Sequence, residues 1–298
     1  MTSPSFDGAT EWLNSEPLGE ADLRGHVVLA NFWTLTCINW LRQEPYVRAW
    51  SQAYRDDGLI VIGAHTPEFQ FEKETHRIRQ AIEQYSIDYP VAVDSDYRVW
   101  TSFSNHYWPA LYFLDAEGVV RDEHFGEGRY EQSERVIQKL LGVERELTPV
   151  EGVGVEAEAD WSALRTPETY LGSQRRERFS ASPLPEHLNH WSLSGQWTTE
   201  HEDITLEEAG GSIAFRFEAR DVHLVLSRLA EAPIPFRVLI DGEAPGPSHG
   251  TDTDADGKGL LDAGRLYQLI REVGPVRERT FEITFEAPGA EAYAFTFG

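Results

Sequence analysis

Two hydrophobic periods divide the chain. Through about residue 142, unbroken apolar runs alternate with segments of helical spacing. "VVLANFW" (27–33) and "LIVIGAH" (59–65) are continuous apolar runs, the pattern of strands covered on both faces. Between them Leu41, Val47, Trp50 and Tyr54 supply the apolar positions of a helix, with Pro45 placed to kink it. There follow a helix through Ile78, Ala81, Ile82 and Tyr85, a short strand "PVAVD", and a strand "ALYFLD". This last strand turns at Ala116, Glu117 and Gly118 into "VVRDEHFG", and a closing helix carries Val136, Ile137, Leu140 and Leu141. The order predicts an α/β fold with parallel pairing early and a hairpin late.

Beyond residue 165 the period drops to two. Ile213, Phe215, Phe217; Val222, Leu224, Leu226; Phe236, Val238, Ile240; Phe281, Ile283, Phe285; and Tyr293, Phe295, Phe297 each recur with a period of two, and Gly, Pro or Asp bound each segment. That pattern predicts an antiparallel β-sandwich or jelly roll. Between the two regimes, "VERELTPVEGVGVEAEADW" (143–161) has no helical period and reads as a linker or crossover strand. With 298 residues, two domains are expected: an α/β domain over 1–145, an acidic linker over 146–164 and a β-sandwich over 165–298.

Charge narrows the function. The 50 acidic against 26 basic residues give a formal charge of −24, and Lys73, Lys139 and Lys258 are the only lysines. Nucleic acid and anionic membrane surfaces both need basic patches, so neither is expected as a partner. No apolar run approaches the roughly 20 residues of a membrane span, and "MTSPSFDGATEWLNSEP" has neither the basic start nor the apolar core of a signal peptide. A cytoplasmic location is the expectation.

A single cysteine excludes an intramolecular disulfide framework and a cysteine-based zinc site, which fits a reducing compartment. The ten histidines show no metal-ligand spacing, and no P-loop or GxSxG pattern occurs, so neither metal nor cofactor is expected. "HGTDTDADGKG" spaces Asp252, Asp254 and Asp256 like the start of a calcium loop, but Ala263 stands at the twelfth position, and an acidic hairpin tip is the simpler reading. Glu68 and Glu72 read as a solvated face on so acidic a chain.

The chemistry concentrates in "ANFWTLTCINWLRQEP" (30–45). Cys37 follows a strand and opens a helix, so its sulfur sits where unpaired backbone N–H groups and the helix dipole favour a thiolate. The competing reading is a small buried apolar residue.

"LRGHVVLANFWTLTCINW" resembles the entry strand and nucleophile turn of TlpA-like and DipZ-type thioredoxin domains, where the family shows Cys-Ile-Asn-Cys. Pro45 matches the kink proline of the thioredoxin helix, "HTPEFQFEKE" the segment after the second core strand, and "HFGEGRYEQSERVIQKLLG" the end of the domain. "HYWPALYFLDAEG" matches the loop whose cis-proline, here Pro109, faces the nucleophile. Past the linker, "TPETYLGSQR", "ARDVHLVL", "FRVLIDGEAPG", "RLYQLIRE" and "AYAFTFG" are similar to the carbohydrate-binding-module-like sandwich of DipZ proteins, which brings carbohydrate in as a candidate partner. Sugar binding needs exposed aromatic platforms, and Trp161, Trp191 and Trp197 are the domain's tryptophans.

The resemblance implies thiol redox chemistry at Cys37, with Pro109 docking a substrate chain and Trp40 and Trp108 flanking the groove; Trp33, ending a strand, is expected in the core. The departure is Trp40, which stands where the second cysteine belongs. In a dithiol protein that cysteine resolves the mixed disulfide, so here the resolving thiol must come from a protein or a low-molecular-weight thiol. Two other readings stand beside this monothiol oxidoreductase. One is a thioredoxin fold kept only as a binding module. The other is a one-cysteine peroxidase with Thr34 three residues before Cys37, although Ala30 replaces the proline of the PxxxTxxC motif.

Overall fold

The computed structural model describes residues 4–298; the first three residues, counted above in the first domain, lie outside the described residues. The described chain divides into one unit ending at Ala157 and a second over Glu158–Gly298.

The first unit contains β1 (Glu11–Leu13), α1 (Glu20–Leu23), β2 (Val27–Trp33), α2 (Ile38–Tyr54), β3 (Leu59–His65), α3 (Thr75–Gln84), β4 (Val91–Val93), α4 (Arg98–Ser102), β5 (Ala110–Leu114), β6 (Val120–Phe125) and α5 (Tyr130–Leu141). One sheet runs in the order β1-β4-β3-β2-β5-β6. The two continuous apolar runs form its centre: β2 and β3 pair in parallel from Val27 opposite Leu59 to Trp33 opposite His65. On the other side β2 pairs antiparallel with β5, Phe32 opposite Ala110, and β5 with β6. Parallel pairing early and a hairpin late are both present.

Burial on both faces explains why β2 lacks alternation. Val28, Ala30 and Phe32 pack with Ile62, Ala64, Val99, Phe103 and Tyr112 on one face. On the other, Asn31 and Trp33 meet α2: Gln43 Nε2 donates to Asn31 Oδ1 at 3.2 Å, and Trp33 stacks on Trp40. Helix α2 runs with Pro45 inside it and buries Leu41, Val47, Trp50 and Tyr54, the positions that its spacing marks. Strand β1 is not foreseen by the periodicity, because three residues carry no measurable period; it exists by pairing antiparallel with β4.

Residues 143–157 contain no strand, which removes the crossover-strand reading of this stretch. They are fastened to the first unit. Thr148 donates its backbone N–H and hydroxyl to Glu134 Oε1 at 2.8 and 2.7 Å, and Glu156 pairs with Arg48 at 3.6 Å. Glu134 also accepts from Trp50 Nε1 at 3.0 Å and from Tyr54 Oη at 2.6 Å, so its buried carboxylate is met by four donors.

The second unit is all β: β7 (Thr169–Tyr170), β8 (Trp191–Ser194), β9 (Trp197–Thr199), β10 (Ile204–Leu206), β11 (Ser212–Phe217), β12 (Asp221–Arg228), β13 (Ile234–Ile240), β14 (Lys258–Leu261), β15 (Arg265–Arg271), β16 (Arg279–Phe285) and β17 (Ala290–Phe297). Its strands form two antiparallel sheets, β15-β12-β17-β10-β9 with β7 on β17, and β14-β13-β16-β11-β8. Phe215, Phe217, Val238, Phe281 and Ile283 of one sheet share a core with Leu224, Leu226, Tyr267 and Phe295 of the other, which makes a β-sandwich. Each fully buried aromatic contributes about 2–3 kcal/mol of transfer free energy to it. The predicted alternation holds except at Tyr293. The β12–β17 register shifts between Val225 and Leu226, so Ala290 and Ala292 join Phe295 and Phe297 in the core and Tyr293 does not.

Candidate functional site around Cys37

The site begins where β2 stops. Trp33 O accepts from Thr66 N at 3.0 Å, which locks the ends of β2 and β3 together, and the chain turns with Cys37 N donating to Thr34 O at 3.2 Å. Cys37 occupies the N-cap of α2 in an extended conformation, its carbonyl accepting from Leu41 N at 3.0 Å, and is half-buried. The sulfur thus stands at the positive end of a helix of 17 residues, the placement that favours thiolate.

Glu72 lies directly beneath this turn. Its Oε1 accepts from Thr36 N at 3.2 Å and Thr36 Oγ1 at 2.7 Å, and its Oε2 accepts from Glu68 N at 2.7 Å and Phe69 N at 2.8 Å. The expectation of a solvated face is therefore wrong for Glu72, which has no exposed surface. Burial pushes its carboxyl up to about 7, against the pull of those hydrogen bonds. Phe69 and Phe71 just before it, both buried, are the local signal of an inward-facing carboxylate.

The proline loop reaches the same end of the sheet. The Trp108–Pro109 bond is cis, as the resemblance implies, and Pro109 leads into β5 beside the end of β2. The loop is held at several points. Trp108 Nε1 donates to Thr66 O at 3.0 Å, and its ring packs on Trp100 with centroids 4.3 Å apart. Buried Asn105 accepts from the N–H groups of His106 and Tyr107 and from Tyr112 Oη. Pro109 O accepts from Gly126 N at 2.9 Å. Outside these anchors Tyr107 and Phe125 stay exposed, with ring centroids 5.0 Å apart.

Trp40 departs from its expected place beside the groove. Its indole has no exposed surface, stacks on Trp33 with centroids 4.3 Å apart and planes 21° off parallel, and meets Tyr85 edge-on at 5.6 Å. Gly63 leaves the room for this stack, since a Cβ there would come within 2.9 Å of Trp33 Nε1. Trp33 is in the core as expected, with the buried His65 ring edge-on to it at 4.6 Å. Burial holds His65 down to about 3. Position 40 is therefore filled by packing. Cys37, Trp108 and Pro109 gather at one end of the sheet, and Trp40 is buried against Trp33 and Tyr85.

The second unit offers less. Asp252 accepts from Gln268 N and pairs with Arg265, and Asp254 Oδ1 accepts from Asp256 N and Lys258 N. Those acidic residues close their own loop, and among the described residues no group of three or more His, Cys, Asp or Glu could hold a metal. Trp191 is buried and Trp197 mostly so, which leaves Trp161 alone exposed of the three tryptophans that a sugar platform would draw on. Among the described residues no helix is long and apolar enough to cross a membrane.

Comparison with known proteins follows the same division. The pattern of the AhpC/TSA family matches residues 3–123, and that of a thioredoxin-like C-terminal domain matches residues 166–298. Protein DipZ of Mycobacterium tuberculosis is 32% identical over 315 residues, covering 100% of this chain and 43% of the relative. The thiol-disulfide oxidoreductase YkuV of Bacillus subtilis is 28% identical over 138 residues, 46% of this chain and 93% of YkuV. NHL repeat-containing protein 2 of Bos taurus is 37% identical over 132 residues, 43% of this chain and 18% of the relative. The chain thus spans less than half the length of the DipZ relative. By the family patterns of its two regions and its likeness along the whole length, the chain is a thioredoxin-like protein that resembles DipZ.

Proposed function

We propose that this chain is a thiol redox protein that works through Cys37 alone and relies on an outside thiol to complete its cycle. The observation that carries this is a half-buried cysteine at a helix N-cap with a buried carboxyl hydrogen-bonded to the preceding residue. The kinship with YkuV, whose name describes a thiol-disulfide oxidoreductase, supports the same reading.

In the proposed cycle the Cys37 thiolate attacks a substrate disulfide. A bond forms between Cys37 and one substrate sulfur, the substrate S–S bond breaks, and the other sulfur leaves as a thiolate that takes a proton. One external thiol then attacks Cys37 and releases the second substrate thiol. A second external thiol frees Cys37 and departs as a disulfide, so two external thiols are oxidised for each substrate disulfide reduced. Pro109 and Trp108 dock the substrate chain, and Glu72, hydrogen-bonded to Thr36 next to Cys37, is the carboxyl assigned to exchange the proton of the thiol. Protein disulfides and low-molecular-weight thiols are the partners. The need for a thiol pool makes a reducing compartment such as the cytoplasm the setting.

Mass measurement tests this: the protein is mixed with a disulfide-linked peptide, and adducts are then released with excess thiol. A mixed disulfide on Cys37 that external thiol resolves, absent from Cys37→Ser, is the expected result. A folded protein that forms no adduct overturns redox turnover and leaves the binding module. The peroxidase reading is favoured by the AhpC/TSA pattern and by Thr34. It predicts consumption of hydrogen peroxide with a sulfenic acid on Cys37.

A further inference from the structure

Five residues beyond Cys37 on α2, the Arg42 guanidinium meets the Glu127 carboxylate at 3.1 Å, with the two side chains only 2% and 6% exposed. Glu127 reaches inward from a loop whose backbone is left-handed at Gly126, Gly128 and Arg129, with φ of 81°, 89° and 52°. Glycine suits the first two positions because a Cβ is disfavoured there. Gly126, next to Glu127, is the residue whose N–H holds Pro109 O at 2.9 Å. One turn further along α2, Tyr46 stacks on Tyr130, the first residue of α5, at 3.7 Å and 15°.

Stability alone is a weak reason for such a pair. Removing two charges from water offsets most of their attraction, and apolar residues of similar size often hold a fold as well. A hydrogen-bonded ion pair between fixed backbones does something that apolar packing does not, which is to impose one geometry. Here it completes a path: from Cys37 along α2 to Arg42, across to Glu127, back one residue to Gly126, and through one backbone hydrogen bond to Pro109.

We propose that Arg42 and Glu127 are positioning residues that set the separation between the helix bearing Cys37 and the Pro109 loop, and so govern exchange with peptide disulfides rather than the reactivity of the sulfur. This rests on the docking role assigned to Pro109 under Proposed function. The pair acts through the two elements that it joins.

The test compares two mixed disulfides of thionitrobenzoate, one with a cysteine-containing peptide and one with mercaptoethanol. In both, Cys37 bonds to the carrier sulfur, the carrier–thionitrobenzoate bond breaks and yellow thionitrobenzoate leaves, so the only variable is the chain that must be docked. Parent protein and Arg42→Met/Glu127→Met, which loses the pair without stranding a charge, are first shown to unfold cooperatively. The double variant is expected to lose about tenfold in rate with the peptide compound, the scale of a sub-ångström misplacement, while its rate with the mercaptoethanol compound stays within about twofold. An unchanged peptide rate, or an equal loss with both compounds, overturns the proposal. If the parent itself shows no preference for the peptide compound, the docking role of Pro109 fails, a result visible without any variant, and the positioning role falls with it. Should the double variant not fold, Glu127→Gln, which keeps the side-chain size and an acceptor oxygen, is measured with the same two outcomes.

Discussion

Trp108 and Thr66 are joined by an indole N–H donating to a backbone carbonyl at 3.0 Å, and the same Thr66 donates its N–H to Trp33 O at 3.0 Å. One residue thereby couples the proline loop to the strand end from which the Cys37 turn departs. Trp108→Phe keeps the ring packing on Trp100 and deletes one hydrogen bond. We expect a stability loss of about 1 kcal/mol by urea denaturation. Slower exchange with the peptide compound should accompany it. An unaltered exchange rate would leave Trp108 with a structural role only.

Glu72 makes the pH dependence of Cys37 diagnostic. Its carboxyl, raised to about 7 by burial, becomes charged as pH passes through that region, and a new negative charge beneath the turn opposes formation of the thiolate. The alkylation rate of the parent by iodoacetamide should therefore rise over a broadened range of pH. In Glu72→Gln it should follow a single titration displaced to lower pH. Identical profiles would remove Glu72 from the proton path.

Three buried groups shape stability against pH. Burial raises Glu44 from 4.5 to about 8 and Glu72 from 4.5 to about 7, so the folded state holds protons that the unfolded chain releases near 4.5, and stability falls as pH climbs from there through 7 and 8. His65 acts in the opposite sense. Held down to about 3 from 6.5, it makes stability fall as pH drops from 6.5 toward 3. Glu44→Gln retains an acceptor for Tyr89 Oη, which donates to Glu44 Oε2 at 2.6 Å, and should flatten the alkaline fall. Urea midpoints at a mildly acidic and a mildly alkaline pH measure it; an unchanged difference between them counts against the assignment.

Trp40→Cys would place a second sulfur one helical turn after Cys37. We expect an intramolecular disulfide under mild oxidant and faster reduction of a model disulfide than by the parent. Loss of the indole stacked on Trp33 should cost about 3–5 kcal/mol, so folding is checked first. A folded variant that keeps two thiols under oxidant would show that the turn is not shaped for thioredoxin-type exchange.

The domain division is testable by expression. The sandwich core draws on its own two sheets, and residues 158–298 should unfold cooperatively when produced alone. A soluble fragment without a cooperative transition would mean that the two units must be treated as one.

Much of the first unit is legible because β2 and β3 are continuous apolar runs whose length is the strand length, and because Cys37 stands at a strand-to-helix junction that local sequence defines. What is not legible depends on partners far along the chain. Glu72 is buried by closing on Thr36, 36 residues earlier, and Arg42 meets Glu127 across 85 residues. Trp40 reads equally well as rim or core until Trp33 and Gly63 are seen to make its slot. In the sandwich, a bulge turned Tyr293 off the predicted face, and no two-residue period anticipates a bulge.

The Trp33–Trp40 stack has an optical consequence. Two buried indoles with centroids 4.3 Å apart couple their electronic transitions, so the pair should give a signed doublet in ultraviolet circular dichroism. Because Trp40 lies three residues from Cys37 on the same helix, modification of the sulfur that disturbs the first turn of α2 would alter that doublet. The residue that displaced the second cysteine thus equips the protein with a built-in chromophore, through which events at its one thiol can be followed without a label.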